Sequence, residues 1–69
     1  IGNINKSYTI YKESLIKSEE LGDEFAIGAS KRGLSMIYSS RGETEKQREY
    51  LEFAMNIFKN IMTFITQLG

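Results

Sequence analysis

The chain has 69 residues, no cysteine and no histidine, and nine basic side chains balanced by nine acidic ones. That length holds one domain with a marginal core, and the composition excludes disulfide staples, the usual zinc-ligand sets, and histidine or cysteine as catalytic base or nucleophile. A formal net charge of zero leaves no basic face of the kind that binds nucleic acid; the first thirty residues lean mildly acidic and the rest mildly basic, as a solvated surface does.

No run approaches the roughly 20 apolar residues of a membrane span, and no basic stretch leads into an apolar one as in a signal peptide. Neither a membrane nor nucleic acid is therefore an expected partner. A chain without cysteine is expected in the cytoplasm. Its start at Ile1-Gly2-Asn3 in place of methionine fits a piece of a longer protein.

The first periodic segment predicts a helix over 6–21. Tyr8, Tyr11, Leu15, Ser18 and Leu21 follow the three- and four-residue spacing of one helical face, with Ile10 and Ser14 beside them. Asn5 or Ser7 is placed to cap it, and Gly22 to end it in a left-handed conformation. Asp23 then caps a second helix over 24–40, whose inner face reads Ala26, Ala29, Ser30, Gly33, Leu34, Ile37 and Tyr38. The small residues allow close approach. Gly33 is expected at a backbone contact, and Gly28 in a weak, exposed first turn.

Ser39-Ser40-Arg41-Gly42 breaks the pattern, and Thr44 with Gln47 matches a capping box for a third helix over 43–67. Its stripe of Tyr50, Leu51, Ala54, Met55, Phe58, Ile61, Met62 and Ile65 is the broadest in the chain. With connections this short, the helices fold back antiparallel into a single all-α domain over 1–69. The expected core is Tyr11, Leu15, Ala29, Leu34, Ile37, Tyr38, Leu51, Ala54, Met55 and Phe58.

Catalysis is not expected. The carboxylate pairs Glu19/Glu20, Asp23/Glu24 and Glu43/Glu45 sit at helix ends, where capping and solvation account for them, and no lysine lies in an apolar surround. The glycine pattern lacks the lysine-serine or lysine-threonine ending of a phosphate loop. No cofactor or metal is called for. The tyrosines read as packing residues, with Tyr8 or Tyr11 as the ones placed to face a ligand groove.

A shift of 40 residues lays Ile10 on Tyr50, Tyr11 on Leu51, Ser14 on Ala54 and Leu15 on Met55. Within this repeat Leu34, Tyr38 and Gly42-Glu43 recur at four-residue steps, followed by Leu51, Ala54 and Met55. On these residues the chain resembles a lengthened tetratricopeptide repeat: one full helical pair preceded by the second helix of an earlier pair. Lys31, Ser35, Gln47 and Lys59 depart from the usual tryptophan, glycine, alanine and proline.

The resemblance implies a slice of a right-handed superhelix that acts as a non-catalytic scaffold for a protein or peptide segment. It also implies a groove lined by Ala29, Arg32, Met36 and Ser39. Arg32 and Met36 stand where the carboxylate-clamping members use lysine and asparagine, so a partly apolar partner surface is expected in place of that clamp. Two other readings remain: a non-catalytic fragment of a larger signalling protein or enzyme, and a helical oligomerisation module. The second follows from the tail of the third helix, which has no charge after Lys59; Ile61, Met62, Phe64, Ile65 and Leu68 are its expected self-association residues.

Overall fold

The computed structural model describes residues 3–68, and the side chains of residues 3–67. Three helices account for it: α1 (Asn3–Leu21), α2 (Glu24–Ser40) and α3 (Thr44–Leu68). The fold is all-α, and no strand occurs among the described residues.

Both turns close in the same way, because both need to satisfy the last carbonyls of a helix within two residues. Gly22 and Gly42 take φ of 67° and 76°. The next residue's N–H then donates back five positions, from Asp23 to the Ser18 carbonyl at 3.0 Å and from Glu43 to the Tyr38 carbonyl at 2.9 Å. This is a Schellman closure, and glycine is what lets it form without steric cost. Asp23 also caps α2 by accepting from the Ala26 N–H at 3.1 Å.

Two expected caps are not used. α1 begins at Asn3, so Asn5 and Ser7 lie inside it, and Asn5 Oδ1 instead accepts from the Arg41 guanidinium at 3.1 Å. At α3 the Glu43 carbonyl accepts from the Gln47 N–H at 3.0 Å, which makes Glu43 the N-cap. Thr44 is therefore one residue inside the helix, where a capping box with Gln47 has the wrong offset.

α2 is the middle element. Its residue 28 lies against Phe58 and Ile57, Lys31 against Phe53 and Tyr50, and Tyr38 against Tyr50, so α3 runs antiparallel to it. On its other side Gly33 meets Tyr11, Tyr38 meets Tyr8, and Arg41 meets Asn5, so α1 is antiparallel as well. Among the described residues no α1 Cα comes within 8 Å of an α3 Cα. The Cα trace measures 45 × 24 × 16 Å. With α1 and α3 each packed on α2 and out of contact with one another among the described residues, this is an open layer of helices and not a closed bundle.

A layer buries little. The buried apolar residues are Leu15, Leu34, Ile37, Tyr38 and Ala54, with Leu34 and Ala54 fully enclosed, and Ser18, Ser30 and Ser35 are buried beside them. Ser18 and Ser35 remain satisfied by donating to the carbonyls of Ser14 and Arg32, both at 2.6 Å.

Three expected core residues are exposed. α3 has one neighbour, which covers an arc centred on Ala54; Met55, about 100° further round, stays 60% exposed. Ala29 falls outside the arc of α2 that its two neighbours cover. Tyr11 seats its ring on Gly33 but presents its outer side to water. Leu51 and Phe58 are half-buried. Gly28 departs in the opposite direction: it is buried, and a Cβ there would lie 3.1 Å from the Phe58 ring and 3.3 Å from Ile57.

Candidate interaction surfaces

Four α2 residues, Ala29, Arg32, Met36 and Ser39, form an exposed stripe at steps of three, four and three. Arg32, Met36 and Ser39 open together onto Gln47 and Leu51 of α3, in a shallow groove between the two helices. Ala29 is not part of that groove. It lines the other one, between α1 and α2, with Ile10, Ser14, Leu21 and Phe25. The structure therefore unites three of the four residues and separates the fourth. Met36 also borders a small cleft toward Ile4 and Tyr11, so it is reached from both sides.

The tail of α3 is the second candidate surface. α2 begins at Glu24, and Phe58 already lies level with Phe25, at a ring separation of 5.7 Å. About one turn of contact remains beyond that point. Ile61 is half-buried, whereas Met62, Phe64 and Ile65 are 66%, 62% and 59% exposed. The Leu68 side chain lies outside the described residues. Leu21 and Phe25 are exposed at the same end of the layer.

The opposite end is built from tyrosines. Tyr38 lies edge-on to Tyr8 at 6.1 Å and to Tyr50 at 5.1 Å between ring centroids. Cations surround the group: Arg41 lies 4.6 Å and Lys12 5.9 Å from the Tyr8 ring, and Lys46 lies 5.4 Å from Tyr38. Burial pushes the Tyr38 hydroxyl well above the usual phenol range, and the adjoining Tyr8 and Tyr50 hydroxyls add to the shift. Tyr8 is thus a packing residue, and Tyr11 alone borders a groove.

One contact runs against the sequence reading. Lys31 places its ammonium 3.7 Å from the Phe53 ring centroid and 5.1 Å from that of Tyr50, so a lysine does lie among aromatic rings. The signal was the spacing of Lys31 from two aromatics on the next helix, which is visible only once the antiparallel register is known.

The carboxylate pairs sit at helix ends, and Asp23 also borders the groove between α1 and α2. Glu19, Glu20, Asp23, Glu24, Glu43 and Glu45 are all exposed; Asp23 caps α2 with its side chain, and Glu43 caps α3 through its backbone. Among the described residues no three acidic side chains converge as a metal site would require, and no helix is long and apolar enough to cross a membrane. No protein-family model, curated protein or solved structure matches the chain.

Proposed function

We propose that this chain is a non-catalytic protein-interaction scaffold of the tetratricopeptide-repeat type, with its partner groove on α2. The observation that carries the reading is the exposed α2 stripe opening onto α3 through Arg32, Met36 and Ser39. One cation, one large flexible apolar side chain and one hydroxyl suit an extended peptide with both apolar and acidic side chains.

Two further features support the repeat. Leu34 and Tyr38, the large residues that a tetratricopeptide pair packs between its helices, are buried here, and so is Ala54, its small contact residue. Lys31, at the family's tryptophan position, spans the same joint by laying its stem and charge over Phe53 and Tyr50.

The 40-residue shift gives the strongest support. Leu15 is buried under α2, while its counterpart Met55 is 60% exposed; Ala54 is buried under α2, while its counterpart Ser14 is exposed. Each end of the layer thus has an open position that the other copy of the repeat fills with a helix. A slice of a longer helical array has that property.

The test is a selection of peptides from a random library against the whole chain, followed by affinity measurements on Met36→Glu and Arg32→Glu. Peptides that lose at least tenfold in affinity on both variants support the groove. A library whose best binders ignore both substitutions contradicts it, provided circular dichroism finds the variants helical.

A second reading, a helical oligomerisation module, is favoured by one specific feature: the uncharged, exposed tail of α3 with Met62, Phe64 and Ile65. Sedimentation of the unaltered chain at high micromolar concentration tests it directly, since a monomer there rules out self-assembly through the tail.

A further inference from the structure

We infer that the groove between α1 and α2 is the acceptor for the α3 tail of a second copy, so that two chains pair by exchanging tails. The inference rests on the oligomerisation reading and deepens it by naming the surface that receives the tail.

The groove is shaped for a helix. Its floor is made of small side chains, Ser14, Ala26 and Ala29, and its rims of Ile10, Leu21 and Phe25, which are 54%, 70% and 64% exposed. Small floor residues let a helix backbone approach closely, and apolar rims give it something to bury. The repeat supplies an independent argument. Ser14 corresponds to Ala54, and Ala54 is fully enclosed because α2 lies on it. Ser14 has the same small size and the same place on its helix, but it stays exposed.

The tail has the matching properties. It is helical through Leu68, it carries no charge after Lys59, and Met62 and Ile65 share one side three residues apart. The small residues of the groove carry no charge, and the two charged residues that also line it, Lys17 and Asp23, are exposed and can keep their water beside an uncharged helix. The lengths agree: ten residues beyond Phe58 span about 15 Å, and α1 from Ile10 to Leu21 spans about 16 Å at the same rise.

Area decides between a pair and an open chain of copies. Each exposed side chain of the two sets leaves about 100 Å² uncovered, by scaling from the 150–250 Å² of an aromatic residue. One tail in one groove then buries about 500 Å² in total, below what a specific interface needs; two reciprocal contacts bury about 1,000 Å², which reaches its lower limit. The tail and the mouth of the groove lie at the same end of the layer, so both contacts can close at once. A closed pair also leaves neither apolar surface exposed, whereas a head-to-tail chain always leaves one at each end.

The experiment uses two double variants of the full chain and a sedimentation measurement at concentrations up to several hundred micromolar. Phe64→Glu/Ile65→Glu removes the tail, and Ile10→Glu/Leu21→Glu removes the groove; all four side chains are exposed, and circular dichroism checks that both variants stay helical. The unaltered chain is expected at twice its 7.9 kDa and each variant alone at once that mass.

Mixing the two variants restores at most one of the two contacts, so the mixture is expected to associate at least tenfold more weakly than the unaltered pair. An unaltered chain that stays monomeric overturns the oligomerisation reading together with this inference. A groove variant that still dimerises like the unaltered chain overturns the inference alone, because the tails would then pair with each other. A mixture that pairs as tightly as the unaltered chain overturns the reciprocal exchange too, because a single contact would then suffice.

Discussion

The two ends of this layer are rich in large apolar and aromatic side chains, yet they treat them in opposite ways. At the end formed by the start of α1 and the α2–α3 turn, Tyr38 is buried between Tyr8 and Tyr50, and Arg41 ties the turn back to Asn5. At the other end Leu21, Met62, Phe64 and Ile65 are exposed, and Phe25, although its ring meets Phe58, is still 64% exposed. The difference is one of coverage. Where three helices bring a side chain each to one point, aromatic rings close a core even in a single layer. Where α3 outruns α2, the same kinds of residue have nothing to meet. The tyrosine end is where the fold holds itself together, and the apolar end is where large side chains are left uncovered.

Substitutions at the tyrosine end should therefore dominate stability. Tyr38→Ala removes a buried ring with two aromatic neighbours and is expected to cost about 3–5 kcal/mol. That is a large share of the total for a chain of this size, where roughly 0.05–0.15 kcal/mol per residue is typical. Urea unfolding followed by circular dichroism should find the variant largely unfolded in buffer, and a cooperative transition with an unshifted midpoint would contradict the assignment. Phe64→Ala, at the other end, should leave the unfolding midpoint of the monomer in place.

The next effect down is at the joint between α2 and its neighbours. Ala54→Leu adds three carbons to a site with no exposure and should cost about 1–3 kcal/mol by overpacking. An unchanged melting temperature would mean that Ala54 is not at a close contact.

A smaller effect appears in base. Because the folded state raises the Tyr38 pKa, the neutral phenol is favoured by folding. Its contribution is complete below the ordinary phenol pKa of about 10 and is lost as the pH climbs from there through the folded value. In a titration followed at 295 nm, one of the four tyrosines should ionise only as the helices melt. Tyr38→Phe should remove that late step and flatten the fall in stability above pH 10; a late step that survives in this variant belongs to another residue.

The smallest expected effects separate the two buried glycines. At Gly33 a Cβ would overlap the Tyr11 ring, so Gly33→Ala should lose stability although alanine gains about 1 kcal/mol of helix propensity. At Gly28 the Cβ would meet Phe58 and Ile57 at 3.1–3.3 Å, and a small outward shift of the half-buried Phe58 offsets the gain. Gly28→Ala should thus stay within about 0.5 kcal/mol of the unaltered chain. Equal losses at both positions would mean that the two helix contacts are equally rigid.

Local chemistry made much of this fold legible in the sequence. Gly22, Asp23 and Gly42 announce their turns because a left-handed residue and a side-chain cap are local requirements, and the helical spacing of Leu15, Leu34 and Ala54 marks residues that are buried. What the sequence does not carry is which side of a broad stripe receives a neighbour. Met55 and Ala29 look like core residues on spacing alone, and both are exposed because a single layer covers less of each helix than a bundle would.

Gly28 reads as a weak first turn until the register places Phe58 over it. Lys31 reads as a surface charge until Phe53 arrives beneath it. The α2 stripe was only half legible for the same reason: its spacing is local, but the division that sends Ala29 to one groove and Met36 to the other depends on where α1 and α3 lie.

The most direct measurement of the contrast between the two ends is amide hydrogen exchange on the unaltered chain at low and at high micromolar concentration. Protection around Tyr8, Tyr38 and Tyr50 should be the same in both, because it is intrinsic to the fold. Protection of residues 60–68 and of α1 between Ile10 and Leu21 should rise with concentration. A rise at the tyrosine end, or a tail equally protected at every concentration, would contradict the division of the molecule into an end that closes its own core and an end left open to a second copy.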